Sequence, residues 1–426
     1  MQARPSPAAA AGVGVGLVVI AGALIAGRAD VALVGVVLIV AVAASGLTRM
    51  RGMPTSVTLT RLPLERDGDL AVAPVRVEVA AEGAQLVPLR LTASSVDVHW
   101  LTAAGPTADI VVRVPVAHSG RQTLLAVTAG AAGPDALTVT GTGPDVQVAM
   151  TLDPPVLRMR GIPVPPRPTG LTGAHQSLRP GDGGEFRDIH PFTPGDRLRR
   201  VDWKATARLG RSPGDLYVRR TFATSDIDVA LVLDDTDDVG ADVSDWALQD
   251  PTLVGARSLD VAREAAWSLA SAYLDASDQV SFQVLSRPRS QVPRGSGARH
   301  RERLRASIAT ASAHARQDRR VRAPLVPAGA LVVLLSPFLD DDVARLATLW
   351  RAAGHTTLAV DTLPAPRLGG LTREQRVAAR IVLGEHDDRL HAVRASGVDV
   401  LVWAGAGGDE ERAAALRALV RPRRRS

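Results

Sequence analysis

The sequence contains no cysteine and a single lysine, and only 3% of its residues are aromatic. Each shortage closes off a class of function. Without cysteine there are no disulfides, thiolate metal sites or thiol nucleophiles, and the redox compartment stays open. So few rings leave little stacking surface for single-stranded nucleic acid. The one lysine, Lys204, follows Trp203, so no Gly-x-x-x-x-Gly-Lys-(Ser/Thr) nucleotide loop can form. Charge of neither sign dominates: 50 basic against 44 acidic side chains give +6, a mixed surface with basic patches. At 426 residues there is room for two or three domains.

Charge is missing altogether from two N-terminal runs, residues 8–26 and 31–47, separated by Gly27-Arg28-Ala29-Asp30. Both approach the length of a spanning helix, the second barely. Gly12 and Gly16 form a small-x-x-x-small face suited to close helix packing. Residues 1–51 are therefore expected to be a transmembrane helical hairpin. Arg4 precedes it and Arg49 and Arg51 follow it, which places both ends and the bulk of the chain on the cytoplasmic side. The expected location is the cell membrane, multi-pass.

Residues 52–153 break into short alternating pieces such as Val75-Arg-Val-Glu-Val and Ile110-Val-Val-Arg-Val, the pattern of an all-β sandwich. Pro154 to Pro168 is proline-rich and reads as a semi-rigid linker, grouped with the charged segment after it as residues 154–225. From residue 226 to 420 apolar strands alternate with helical segments, the rhythm of an α/β doubly wound sheet. Strands are expected near 227–233, 280–285, 331–335, 358–360 and 398–403. Helices are expected near 258–276, 301–315, 341–353, 373–383 and 409–420. Residues 421–426 form a basic tail that could rest on anionic lipid. His386 and His391 lack zinc-protease spacing and are expected on a solvated face. Gly405 to Asp409 lacks the third glycine of a dinucleotide loop, leaving Asp409 as a helix N-cap.

Between the linker and the sheet, Glu185 to Arg208 reads EFRDIHPFTPGDRLRRVDWKATAR. Its charge and its Pro-Gly-Asp turn are not those of a core. Glu185, Phe186, Pro194, Gly195, Asp196, Arg199, Asp202, Trp203, Lys204, Ala205 and Arg208 match, in order, the signature of the bacterial domain-of-unknown-function 58 family, which this chain resembles. His190 stands where that family more often has Arg, and Phe192 where it often has Tyr. The resemblance implies a membrane protein bearing a von Willebrand A-like domain. It also implies a MoxR-type AAA+ ATPase as partner, the pair acting in chaperone-like assembly or maturation of other proteins. The expected function is thus a membrane-anchored, non-catalytic scaffold. Glu185, Pro194, Gly195, Asp196, Arg199, Asp202, Trp203, Lys204 and Arg208 are its candidate docking residues. Asp196, Asp202, Arg199 and Arg208 could alternatively close a buried ion-pair knot around Trp203.

Ligands on doubly wound sheets sit at the C-terminal ends of strands, which directs attention to Asp234 and Ser336. The run Asp234-Asp-Thr-Asp-Asp resembles the Asp-x-Ser-x-Ser metal loop of von Willebrand A domains, with Asp234, Thr236 and Asp238 at the ligating positions. Such an all-oxygen shell suits Mg²⁺. The second loop should supply an Asp after Ser336, but Pro337 stands there, and Asp340 to Asp342 read as the acidic start of a helix. Thr252 and Ser296 are both candidates for the middle hydroxyl. The expected state is a degenerate site without metal and no cofactor. The rival reading is a Mg²⁺-dependent phosphohydrolase using the Asp234–Asp238 acidic loop, with Asp235 as nucleophile and Asp237 as acid/base. Against it, Asp234 occupies the position directly after the strand, and no later lysine exists. Nucleic-acid binding has no recognised module here.

Overall fold

The computed structural model describes residues 3–47, 55–67, 70–93, 96–116, 118–133, 138–140, 143–159, 161–165, 175–212, 214–246, 256–287, 291–313, 323–404, 412, 414 and 415. Thr252, the Gly405–Asp409 loop and the basic tail lie outside them, as does nearly all of the helix expected at 409–420. The chain divides into two compact units, the first built mainly from residues 1–150 and the second mainly from residues 151–426.

The first unit opens with β1 (Ala3–Pro5) and two apolar helices, α1 (Pro7–Ile25) and α2 (Ala29–Leu47). Ser6 caps α1 by accepting the Ala9 N–H at 3.2 Å, and Pro7 enters the first turn, where its missing N–H costs nothing. The helices pack through glycine. A Cβ placed on Gly35 would come within 2.7 Å of the Gly16 carbonyl oxygen, and one on Gly16 within 2.6 Å of Ile39. α1 is long and apolar enough to cross a membrane or to serve as a signal sequence; the stretch Ala29–Ala44 is shorter.

Beyond them lie two four-stranded antiparallel sheets. One uses β2 (Thr55–Arg61), β3 (Glu65–Asp67), β4 (Leu70–Ala81) and β7 (Thr107–Val116). Its spine is β4, which carries β2 and β3 on one edge and β7 on the other. The other runs β10-β8-β5-β6, from β5 (Leu86–Ala93), β6 (Val96–Ala104), β8 (Gly120–Ala129) and β10 (Val146–Leu152); β9 (Thr138–Thr140) pairs with β1. Alternation sorts the side chains: Val75, Val77 and Val79 are buried while Arg76 and Glu78 face out.

In the second unit the proline-rich segment is no free spacer. The Leu157 N–H donates to Ser268 Oγ at 2.9 Å, and the Tyr273 hydroxyl donates to the Pro163 carbonyl at 2.8 Å. Leu157, Met159 and Ile162 pack on the core beside these anchors. A proline-rich strand is pre-extended, so little entropy is lost in pinning it. Next come β11 (His175–Pro191) and β12 (Tyr217–Ser225), an antiparallel pair with several register shifts, joined through α3 (Trp203–Leu209).

The remaining strands are β13 (Asp228–Leu233), β14 (Gln279–Val284), β15 (Val292–Gly295), β16 (Leu331–Ser336), β17 (Thr356–Asp361) and β18 (Asp399–Val402). They order as β15-β14-β13-β16-β17-β18, parallel except for the edge strand β15. The helices are α4 (Ser258–Asp275), α5 (Ala298–Ala309), α6 (Asp341–Ala352) and α7 (Arg373–Ala395). Both faces are covered. Leu331, Val333 and Leu335 of β16 point into a core shared with α4 and α5, while Val332 and Leu334 point into one shared with α6 and α7. This double burial is why the central strands β13 and β16 read as nearly unbroken apolar runs rather than alternating ones. α7 continues well beyond the 373–383 segment, and its extension buries His386. The solvated face expected for that histidine is corrected here; His391 does face solvent.

Candidate functional site

The order of the six strands reverses between β13 and β16, and the acidic loop begins at that switch point. Asp234, one residue past β13, is 3% exposed. Its backbone N–H donates to the Leu335 carbonyl at 2.9 Å, which continues the ladder and fixes the carboxylate beside Ser336. Thr236 donates its hydroxyl (2.6 Å) and its N–H (3.1 Å) to Asp234 Oδ1, and Ser336 donates its hydroxyl to Oδ2 at 2.7 Å. Burial nevertheless dominates, helped by nearby Asp237, and pushes the Asp234 carboxyl up to about 6.

The structure thus brings Asp234, Thr236 and Ser336 into one hydrogen-bonded cluster. Asp238 is turned elsewhere. Its Oδ2 accepts from Arg257 Nε at 2.9 Å, and its Oδ1 accepts the Leu259 N–H at 3.1 Å in the first turn of α4. Both ion-pair partners are largely buried. Asp235 points to β14: its carboxylate accepts the Ser286 hydroxyl at 2.5 Å and the Ser286 N–H at 3.2 Å, and it is 1% exposed. Asp237 is buried as well. Ser296 bonds Gln279 at the start of β14, the end of the sheet opposite Asp234, and is no part of this cluster.

After Ser336 the chain bends sharply. The Phe338 N–H donates to Ser336 Oγ at 3.0 Å, and Phe338 holds φ 49°, a rare conformation for a residue with a Cβ. Asp340 accepts the Asp342 N–H at 2.6 Å and caps α6, as the acidic run suggests.

Two neighbours escape a reading of the sequence. Asp361 ends β17 in register with Ser336, and its Oδ2 lies 3.3 Å from His386 Nε2, off the line of a hydrogen bond. The Thr362 hydroxyl beside it is buried without a hydrogen-bond partner. An acid closing an apolar strand is the sequence signal for Asp361; nothing local flags His386. Among the described residues, no group of three or more His, Asp or Glu is arranged to hold a metal ion.

The signature separates into scaffold and surface. Pro194 and Gly195 occupy the middle of a turn closed by the Asp196 N–H donating to the Thr193 carbonyl at 3.0 Å; Gly195 at φ 104° supplies the left-handed position. Asp196 then accepts the Thr193 N–H (2.9 Å) and hydroxyl (2.8 Å); these two bonds, with a smaller contribution from Arg220 at 3.4 Å, hold its carboxyl below the usual range. Asp202 is the N-cap of α3, accepting the Ala205 N–H at 2.9 Å. Among the described residues no ion pair joins Asp196 or Asp202 to Arg199 or Arg208, and Trp203 is 69% exposed, so the buried knot does not form. Glu185, Phe186, Arg199, Trp203, Lys204 and Arg208 are exposed.

Fold and site together define a multidomain chain with an apolar N-terminal helix and an α/β unit whose strand-end acids are buried and bonded internally. The particular family emerges from comparison: residues 188–367 match the family described as "Protein of unknown function DUF58". Uncharacterised proteins of Mycobacterium bovis and of two Mycobacterium tuberculosis strains are each 38% identical over 64 residues, 15% of this chain. That segment spans 19% of each relative's length. No solved structure gives a significant match.

Proposed function

We propose that this protein is a membrane-anchored, non-catalytic docking platform working beside a MoxR-type AAA+ ATPase in the assembly or maturation of other proteins. In this reading α1 and α2 form the anchoring hairpin, the soluble units face the cytoplasm, and the α/β unit is a von Willebrand A-like domain that holds no metal. One observation carries the non-catalytic part. Asp238, the third oxygen position of the metal-type loop, is committed to Arg257 and to the N-terminus of α4. A hard cation requires several preformed oxygens, and a buried guanidinium at that loop opposes a second positive charge. The Asp234 pair of hydroxyl donors is likewise satisfied without a cation.

The phosphohydrolase reading meets a similar obstacle. Asp235, its nucleophile, accepts two bonds from Ser286 and presents almost no surface to a substrate. The partnership with the ATPase rests on family likeness alone. Two measurements test the proposal. The full chain, cross-linked in native membranes and purified in detergent, should carry an AAA+ ATPase under at least one nucleotide condition; its absence under all of them refutes the platform. Magnesium-dependent hydrolysis of p-nitrophenyl phosphate that disappears in Asp235→Asn would replace it with the enzyme.

A further inference from the structure

The surface raised by the signature has a chemistry of its own. Along residues 185–220 most carboxylates are occupied within the segment. Asp196 is taken by Thr193 and Arg220, Asp202 by the α3 N-terminus, and Asp215 by the Arg211 and Ser212 N–H groups at 3.0 and 2.9 Å. The cations are not balanced in the same way. Arg199, Lys204 and Arg208 are exposed and make no ion pair among the described residues. Arg219 lies over the Phe186 ring, 5.3 Å from its centroid, an arrangement that leaves the guanidinium edge available.

Apolar surface stands among these charges. Leu198 is 70% exposed, Trp203 69% and Phe186 49%. Solvent-facing Trp and Leu in a cationic rim are the composition of an interface core rather than of a solvated face. An open groove of about 580 Å³ is lined by Arg199, Asp202, Trp203 and Arg219, together with Arg200, Val201 and Thr221. It is built on fixed parts: a glycine turn, a capped helix and a strand pair.

We propose that this groove binds an acidic, leucine-bearing peptide segment of a partner protein, with carboxylates on Arg199 and Arg219 and an apolar side chain against Trp203. The assignment rests on the docking-platform reading and names the chemistry of what docks. Charge complementarity selects an acidic ligand. A nucleic-acid strand stacks successive bases on successive rings, and among the described residues lining the groove Trp203 is the sole aromatic. A bilayer is disfavoured because the Asp202 carboxylate within the groove would face its phosphates.

The test uses the full chain in detergent micelles and a fluorescein-labelled peptide alternating Glu and Leu, read by anisotropy. Binding should weaken with salt and vanish for the same peptide with Gln in place of Glu. Trp203→Ala and the pair Arg199→Glu with Arg219→Glu should each weaken it at least about tenfold. These side chains are exposed, so each variant should keep the parent's circular dichroism and urea midpoint, which separates a lost contact from a folding defect. The proposal falls if the Glu peptide does not bind, if the Gln peptide binds equally, or if the variants bind like the parent. It also falls if oligouridylate or phosphatidylglycerol vesicles displace the peptide through the same residues. ATPase recovery that survives Trp203→Ala overturns the groove but leaves the platform. Peptide binding without any ATPase recovered does the reverse.

Discussion

Replacing Asp234 with asparagine isolates one buried charge at the sheet's switch point. Its carboxyl titrates at about 6 in the folded chain against a reference of 3.8, chiefly because burial disfavours the anion. A raised folded pKa means that the folded state holds the proton more tightly than the unfolded one. The resulting stabilisation is complete below the unfolded value and is lost as pH rises through the folded one. A shift of about two units corresponds to about 3 kcal/mol. Asparagine carries no charge at any pH, and its amide can still meet the Thr236 and Ser336 hydroxyls, which rotate to accept or donate. The stability of the parent relative to Asp234→Asn should therefore fall by about 3 kcal/mol between about pH 3 and about pH 7, most steeply near 5, midway between the two values. Urea unfolding followed by the fluorescence of Trp267, Trp350 and Trp403, all buried in the α/β unit, reads this difference. A difference that does not vary with pH refutes the argument. Millimolar magnesium that selectively stabilises the parent near neutral pH would refute the metal-free reading as well.

The remaining predictions concern the supports of the two sites. Arg257→Met leaves Asp238 buried and unpaired, and should cost roughly 3–5 kcal/mol in the same urea titration, most of it recovered by adding Asp238→Asn. Gly195→Ala meets no steric obstacle to its Cβ, so its cost should come from φ alone, about 1–2 kcal/mol, without change to the Trp203 surface.

What could be foreseen depends on the range over which each signal acts. β13 and β16 declare themselves because burial on both faces leaves few polar residues to blur the run, and Asp234 and Ser336 are found where those runs stop; β14, with Ser281 and Gln283 in it, is less plain. The double coverage by α4–α5 and α6–α7 comes from the same strand–helix rhythm. Harder to foresee were pairings between distant positions. Asp238 reads as a ligand until its partner, Arg257, is found 19 residues on across the start of α4. His386 reads as solvated because Gly384 and the acids beside it look like the end of a helix, whereas α7 continues and turns it towards Asp361. The proline-rich segment reads as a spacer because backbone groups and Leu157, Met159 and Ile162 hold it in place, and backbone leaves no trace in composition.

That pinned segment bears on how the α/β unit could be cut free. A fragment starting at residue 188, where the family match begins, would sever β11 near its end and discard the belt across α4. The side chains under Leu157, Met159 and Ile162 would then lie bare and invite self-association. A fragment starting at Thr151 keeps its belt, and should stay soluble at concentrations where the shorter one precipitates.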